Sequence, residues 1–265
     1  MTRAPLAADL VDHAVDLLVG SACLGCGSRG RLVCRRCLGT LPAQPVPARP
    51  SPAPPGLVPA WAAGEYDGLL RRLVIDHKEE SRFGLGRPLG RLLARAVGAA
   101  AGGEGRVLLV PVPSRPGVVR SRGDDPTRRL VRVAAREATR HGLSARVLPL
   151  LRSHRGVLDQ SGLDAAARAR NLEGSLWVPS RALVGAARAA RAARSGLGTG
   201  AGAVRVVLCD DVLTTGATAR EAQRALAAVG VELSGIAVVG AVRRRHDPAA
   251  PAASRGVFAA CPGTG

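Results

Sequence analysis

The sequence contains almost no lysine and few aromatic residues. Lys78 is the single lysine among 38 basic residues, and Phe, Trp and Tyr together make up 2% of the 265-residue chain. A P-loop nucleotide hydrolase needs a glycine-rich loop that ends in Lys-Ser or Lys-Thr. Because the only lysine lies in "DHKEE", that class is excluded. A single-strand nucleic-acid binder of the stacking kind uses a platform of aromatic rings, which this composition disfavours.

Long apolar segments are also absent. Arg, Gly or Pro interrupts each apolar run before the roughly 20 residues that a membrane span requires. Asp9, Asp12 and Asp16 interrupt the N-terminal stretch, where a signal peptide would be apolar. We therefore expect a cytoplasmic protein without a membrane span. Hydrophobic residues make up 46% of the chain, which predicts a globular protein. The net charge of +18 favours nucleic acid or phosphorylated metabolites as ligands without choosing between them.

Four cysteines form two Cys-x-x-Cys pairs in "CLGCGSRGRLVCRRCLG", namely Cys23 with Cys26 and Cys34 with Cys37. Two residues between thiolates let both sulfurs reach one ion, and two pairs complete a tetrahedral zinc shell. Two redox dithiols are the alternative. A redox pair would begin a helix after a strand, whereas this setting looks loop-like, so structural Zn²⁺ is favoured. Cys209 lies in an apolar run and is expected to be an inert core thiol.

Composition shifts divide the chain. We expect an N-terminal helix and zinc-binding module at 1–45, a proline-rich linker at 46–60, a helical segment packed on the core at 61–105, an α/β domain at 106–246 with a low-complexity insertion at 181–203, and a disordered tail at 247–265.

From residue 106 onward, strand-like and helix-like patterns alternate. "RVLLVPVP", "ARVLPLLR", "GSLWVP", "VRVVLCDDV" and "GIAVVGAV" read as strands. "TRRLVRVAAREATRHG" reads as a helix with Thr127 as its possible cap, and a second helix is predicted at about 218–229. This alternation predicts an α/β fold with a mainly parallel sheet flanked by helices.

Two adjacent acids, Asp210 and Asp211, end the strand "VRVVLCDDV". Ligands of parallel sheets bind beyond the carboxyl ends of strands, and the turn that follows opens a helix whose amides suit a phosphate. Acids beside a phosphate need another partner, such as sugar hydroxyls or a metal, so a phosphorylated sugar fits both features. The predicted phosphate turn comprises Thr214, Thr215, Gly216, Ala217 and Thr218.

Two other interpretations fit less well. A dinucleotide fold would show Gly-x-Gly-x-x-Gly after its first strand, and "PVPSRPG" does not match. Asp211 as a plain helix cap would account for one carboxylate, but not for two acids followed by three threonines.

The segment "VVLCDDVLTTGAT" resembles the phosphoribosyl-pyrophosphate fingerprint of type I phosphoribosyltransferases, and the whole chain is similar to the ComF family of such proteins. "CLGCG…CRRC", "EYDGLLRRLVIDHK", "LLVPVPSR…RSRG" and "LDQSGLDAAARARNLEGSL" support this resemblance in family order. It implies a type I phosphoribosyltransferase-like sheet. It further implies that the two acids hold the ribose hydroxyls near Mg²⁺ and that the turn holds the 5′-phosphate.

The resemblance assigns further residues. A loop with Ser114, Arg115 and Arg122 would face the pyrophosphate, and the segment 153–171 would close over the site. Auxiliary positions matched to the family are Lys78, Gln160, Arg168 and Asn171.

One departure from the family pattern concerns the end of the pyrophosphate loop. The family usually reads Arg-Gly-Phe-Asn, whereas this chain has Arg122, Gly123, Asp124 and Asp125. Two acids thus replace an aromatic residue and an amide where anions should bind, and the acceptor cannot be read from the sequence.

Three functions stay open at this point. In the first, the protein binds phosphoribosyl pyrophosphate with Mg²⁺ and transfers ribosyl 5-phosphate to an unknown acceptor. In the second, it is a non-enzymatic competence protein that binds single-stranded DNA or DNA-uptake proteins. In the third, it is a regulator that senses the metabolite. The sequence does not indicate the oligomeric state.

Overall fold

The structure is a computed structural model, and it describes residues 22–80, 82–114, 125–154, 174–195 and 204–242. The described residues fall into two compact units, one at 22–41 and one within Pro42–Val242. The N-terminal helix expected before the cysteines and the tail expected at 247–265 lie outside the described residues. In the first unit, an isolated bridge pairs Ala22 with Arg29, and a short helix α1 spans Arg35–Gly39.

The second unit contains the remaining elements. In chain order they are β1 (Val46–Ala48), β2 (Ala60–Glu65), α2 (Gly68–Glu79), a 3-10 turn (Phe83–Leu85), α3 (Gly86–Ala101), β3 (Gly105–Pro111), α4 (Pro126–Arg140), β4 (Leu143–Val147), β5 (Arg152–Ser153), β6 (Leu176–Trp177), a 3-10 turn (Ser180–Ala182), α5 (Leu183–Ser195), β7 (Val204–Leu213), α6 (Ala217–Ala227) and β8 (Gly235–Ala241).

Six strands form one sheet in the order β1-β2-β8-β7-β3-β4. All neighbours are parallel except β1, which pairs antiparallel with β2 at the edge. The predicted α/β class with a mostly parallel sheet is therefore confirmed. The predicted strand "ARVLPLLR" is divided, because Pro149 has no N–H to donate to the ladder. Its second part, β5, pairs antiparallel with β6 outside the main sheet.

Two crossovers leave the centre of the sheet in opposite directions. β3 leads through α4 to β4 on one side, and β7 leads through α6 to β8 on the other. Right-handed crossovers that run in opposite directions place their helices on opposite faces. Accordingly, α3 and α4 pack together on one face, while α5 and α6 contact β7 from the other. The adjacent strands β3 and β7 therefore flank the switch point of the sheet, where ligands of open α/β folds bind.

The core lies between the sheet and both helix layers. Val206 and Leu208 of β7 are fully buried and belong to one apolar cluster with Ala222 and Leu226 of α6. Successive side chains of a strand point to opposite faces, so the alternate residues of β7 face α3 and α4. Burial on both faces accounts for the nearly continuous apolar runs of these strands.

Two segments differ from the sequence-based expectation. The start of the predicted helical region forms β2, because pairing with β8 outweighs the helical preference of "AWAAGE". The expected linker at 46–60 supplies β1, and its later part is held on α6 by two hydrogen bonds. Val58 N donates to Gln223 Oε1 at 3.1 Å, and Gln223 Nε2 donates to the Gly56 carbonyl at 2.8 Å.

The contact between α3 and α4 provides a test of the packing. A Cβ on Gly90 would lie 2.6 Å from Val133 Cβ, whereas a Cβ on Gly98 of the same helix would meet nothing within 4 Å. We expect Gly90→Ala to lower the free energy of unfolding by about 1–3 kcal/mol through overpacking. Gly98→Ala should raise it by about 0.5–1 kcal/mol.

Urea denaturation of both variants measures these changes. Equal effects of the two substitutions would mean that α3 does not approach α4 at Gly90.

Candidate functional site

The two acids lie at the carboxyl end of β7, beside the switch point. Each carboxylate accepts a hydrogen bond from the next backbone amide, since Asp211 N donates to Asp210 Oδ1 and Val212 N donates to Asp211 Oδ1, both at 2.8 Å. Asp211 is 8% exposed, and Asp210 is half-buried. The backbone therefore holds both side chains at defined positions without consuming all of their oxygens.

Lys78, in the last turn of α2, forms an ion pair with Asp211 at 2.7 Å between Nζ and Oδ2. Burial would lower the pKa of Lys78, but the negative charges of Asp211 and Asp210 outweigh it and raise that pKa. Burial, together with the adjacent charge of Asp211, raises the pKa of Asp210 well above its usual range. The structure thus brings the predicted auxiliary lysine to the predicted acids.

The structure also adds residues that the sequence reasoning missed. Burial and the charge of Asp211 raise the pKa of Tyr66, and a Cβ on Gly240 would lie 3.1 Å from the Tyr66 ring. His77 is buried beside Lys78, and burial lowers its pKa. Both lie within "EYDGLLRRLVIDHK", where a rare tyrosine and a histidine on the apolar face of a helix were the available signals.

The predicted phosphate turn connects β7 to α6. Gly216 has a φ of +75° and precedes the first helical residue, Ala217, a backbone conformation that glycine adopts without strain. Thr215 Oγ1 accepts a long hydrogen bond of 3.5 Å from Ala217 N. Thr214 is exposed, and Thr218 is half-buried in the first turn. Because the first amides of a helix lack intrahelical partners and carry positive partial charge, this turn suits an anion.

The proline-rich segment packs against the same turn. A Cβ on Gly216 would lie 2.9 Å from Pro50 Cγ, and 3.2 Å from both Leu57 Cδ2 and Pro54 Cδ. Any side chain at position 216 would therefore displace this cover, in addition to straining the backbone. The glycine is needed for close packing as well as for the left-handed conformation.

Ser114, at the end of β3, is the described part of the predicted pyrophosphate loop, since Arg115 and Arg122 lie outside the described residues. Ser114 Oγ donates to Asp125 Oδ1 at 2.7 Å, and Ser114 N donates to Asp125 Oδ2 at 3.2 Å. Asp125 also caps α4 by accepting from Arg128 N at 3.0 Å.

The predicted cap of α4 was therefore wrong. Asp125 is the cap and Thr127 lies inside the first turn, because Pro126 suits the first helical position. One of the two acids in "RGDD" is thus engaged by Ser114 and the helix rather than left to repel an anion. Asp124 lies outside the described residues, as do Gln160, Arg168 and Asn171.

The four N-terminal cysteines form a second candidate site. Their Sγ atoms all lie within 4.8 Å of one another. The 3.7 Å between Cys26 Sγ and Cys34 Sγ is close to the roughly 3.8 Å that tetrahedral zinc–sulfur bonds of about 2.3 Å would give. Cys34 N approaches Cys23 Sγ at 3.3 Å, and Cys37 N approaches Cys34 Sγ at 3.5 Å. The cluster could hold a metal ion such as zinc.

Local structure explains the cysteine geometry. Gly27, with a φ of +77°, closes the turn that follows Cys26. Cys34 caps α1, so the second pair begins a short helix instead of lying in the loop expected from the sequence. The hydrogen bond from Ser28 lowers the pKa of Cys26 to about 6, which favours the thiolate that a metal requires. Cys209 is fully buried in β7, and burial raises the pKa of its thiol, as expected of an inert core residue.

Two comparisons with known proteins gave no match. No protein-family model matches the chain, and a search of curated proteins found no match. Among the described residues, none of the helices has the length and apolar character needed to cross a membrane. Membership of the ComF family therefore stays a prediction from the motifs.

The ion pair between Lys78 and Asp211 can be measured in the free protein. We expect Lys78→Met to lower the free energy of unfolding by about 1–2 kcal/mol near neutral pH, because it leaves a buried carboxylate without its cation. The pKa of Lys78 is raised in the folded state. Its contribution is therefore present below the ordinary lysine pKa and is lost as the pH rises through the raised value.

A double-mutant cycle with Asp211→Asn, followed by urea denaturation, isolates this pair. Additive effects of the two substitutions would show that the pair contributes nothing in solution.

The cysteine cluster predicts a defined metal content. We expect purified protein to contain about one zinc ion per chain, and Cys23→Ser to lose it, because three thiolates leave the tetrahedral shell incomplete. Cys209→Ala is the matched control, since it removes a cysteine that lies outside the cluster. Elemental analysis of both variants checks the expectation, and wild-type zinc content in Cys23→Ser would contradict it.

Proposed function

We propose that this protein is a ComF-like protein of the type I phosphoribosyltransferase class that binds phosphoribosyl pyrophosphate with Mg²⁺ and transfers ribosyl 5-phosphate to an acceptor. The observation that carries the proposal is the position of the motif. The acids and the threonine-rich turn follow β7, and Ser114 follows β3, so they flank the switch point of the sheet. The four-cysteine cluster is proposed to hold a structural zinc ion.

The turn after β7 accounts for the phosphate end of this substrate. Its exposed hydroxyl, Thr214, precedes the amino end of α6, whose free amides and dipole favour a dianion. Gly216 provides the left-handed turn that leads the chain into α6, and Pro50 packs where its side chain would lie. Because backbone amides and threonine hydroxyls can hold the phosphate, the turn needs no lysine. The single lysine, Lys78, pairs with Asp211 instead.

The acids account for the ribose end. Carboxylate oxygens accept hydrogen bonds from the 2′- and 3′-hydroxyls, and they are the hard donors that Mg²⁺ prefers alongside substrate phosphates. Asp210 accepts one backbone amide, and Asp211 accepts one backbone amide together with the ammonium of Lys78. Each carboxylate oxygen has two lone pairs, so both acids keep capacity for these partners. When bound, Mg²⁺ would neutralise charge on the pyrophosphate leaving group.

The transfer itself breaks the bond between C1 of the ribose and the pyrophosphate oxygen, and the oxygen keeps the electron pair. The acceptor forms the new bond to C1 and releases its proton. The transition state carries positive charge on the ribose, which the two acids on β7 would stabilise. The ammonium of Lys78 would hold Asp211 in place at 2.7 Å, acting as a positioning residue.

Calorimetric titration with phosphoribosyl pyrophosphate and Mg²⁺ tests the proposal. We expect saturable binding by the wild-type protein, weakened at least about tenfold in Asp210→Asn/Asp211→Asn because the ribose and metal contacts are lost. Glu104→Gln/Glu232→Gln is the matched control, since it removes two exposed acids from the opposite ends of the strands. Its affinity should stay at the wild-type value.

Two outcomes would overturn the proposal. They are the absence of binding heat from folded wild-type protein, and an equal loss of affinity in the control variant. Circular dichroism establishes the folded state of each variant before titration.

A further inference from the structure

The pair β5–β6 presents an aromatic surface outside the main sheet. Arg152 lies opposite Trp177 in the antiparallel register, so both side chains occupy one face, and buried Leu176 occupies the other. The ring of His154 stacks on Trp177, with centroids 5.6 Å apart and an interplanar angle of 27°. Trp177 is nevertheless 41% exposed. We call Arg152, His154, Trp177 and Arg181 the Trp177 surface.

This surface is attached to a rigid helix. Leu176 N donates to Glu221 Oε1 at 3.1 Å, and Arg224 Nη2 donates to the Leu176 carbonyl at 3.1 Å. Glu221 is buried and is held by Arg224 Nε at 2.7 Å. The backbone immediately before Trp177 is therefore fixed to α6. The stacked ring of His154 positions the indole itself, and a ring that is already placed loses less entropy on binding.

The charge around this surface is positive. Burial lowers the pKa of Arg152, and the nearby guanidinium groups of Arg181 and Arg128 lower it further, opposed by Asp125. Asp125 is already engaged by Ser114 and by the cap of α4. Arg128 Nε is buried and has no hydrogen-bond partner among the described residues. A bound anion would reduce the repulsion between these three neighbouring guanidinium groups.

We propose that the Trp177 surface binds a free nucleotide, with its base on the exposed face of Trp177 and its phosphate on the arginines. A nucleotide carries an aromatic base and an anionic phosphate close together. The indole of Trp177 matches the base, and the neighbouring arginines match the phosphate. His154 already covers part of the indole, so one further ring can stack there, which favours a single base over a run of bases. This inference does not depend on the binding of phosphoribosyl pyrophosphate.

Tryptophan fluorescence provides a selective test, because Trp61 and Trp177 are the two tryptophans of the chain. In a Trp61→Phe background, excitation at wavelengths that adenine does not absorb reports on Trp177 alone. We expect saturable quenching by AMP. Adenosine, which lacks the phosphate, and ribose 5-phosphate, which lacks the ring, should each need a concentration at least about fivefold higher for a half-maximal effect on Trp177 fluorescence.

Two substitutions locate the ligand. By calorimetry in the Asp210→Asn/Asp211→Asn background, which disables the proposed ribose site, Trp177→Leu and Arg152→Gln should each weaken AMP binding at least about fivefold, through loss of stacking and of a charged contact. Arg188→Gln, at an exposed position of α5, is the matched control and should bind AMP as the wild type does. Asp210→Asn/Asp211→Asn should also retain AMP binding, which separates this proposal from the proposed function.

Three results would overturn the inference. They are the absence of quenching in folded Trp61→Phe protein, unchanged AMP affinity in both Trp177→Leu and Arg152→Gln, and binding of single-stranded oligonucleotides without measurable binding of AMP. The second result would place AMP elsewhere, and the third would identify a surface for a polymer.

Discussion

The adjacent placement of β3 and β7, with their crossovers leaving in opposite directions, is the constraint on which the rest of the structure depends. Right-handed crossovers that run in opposite directions lie on opposite faces of a sheet, and the point where they diverge is the ligand-binding place of open α/β sheets. We call this place, at the carboxyl ends of β3 and β7, the crevice. Asp210, Asp211 and the threonine-rich turn reach this crevice from β7, and Ser114 reaches it from β3.

The crevice contains two adjacent acids, although the net charge of the protein is +18. Asp211 is buried and neutralised by the single ammonium of the chain, while Asp210 keeps a raised pKa beside it. A compact ammonium fits against one carboxylate oxygen, whereas a guanidinium would present a planar fork of donors. This difference gives a physical reason for one lysine among 37 arginines, a number that follows from the 38 basic residues less Lys78.

Two sequence features gain a structural explanation from the fold. The proline-rich segment, expected as a spacer, supplies an edge strand and packs Pro50, Pro54 and Leu57 around Gly216. Asp125, the second of the two acids in "RGDD", caps α4 and holds Ser114. In both cases the residue type is compatible with several conformations, and long-range contacts select one of them.

The sequence alone determined what local periodicity and close spacing encode. The cysteine pairs, the strands β3, β7 and β8, the apolar face of α2 and the strand–turn–helix with its two acids are all readable within short windows, because each depends on neighbouring residues. Only the tertiary structure decided which distant residues meet. The pairing of Lys78 with Asp211, the approach of Tyr66, the capping of α4 by Asp125 and the stacking of His154 on Trp177 depend on how separate elements pack, and no local pattern specifies that. The strand β2 shows the same limit, since its helix-favouring residues become a strand only because β8 lies beside it.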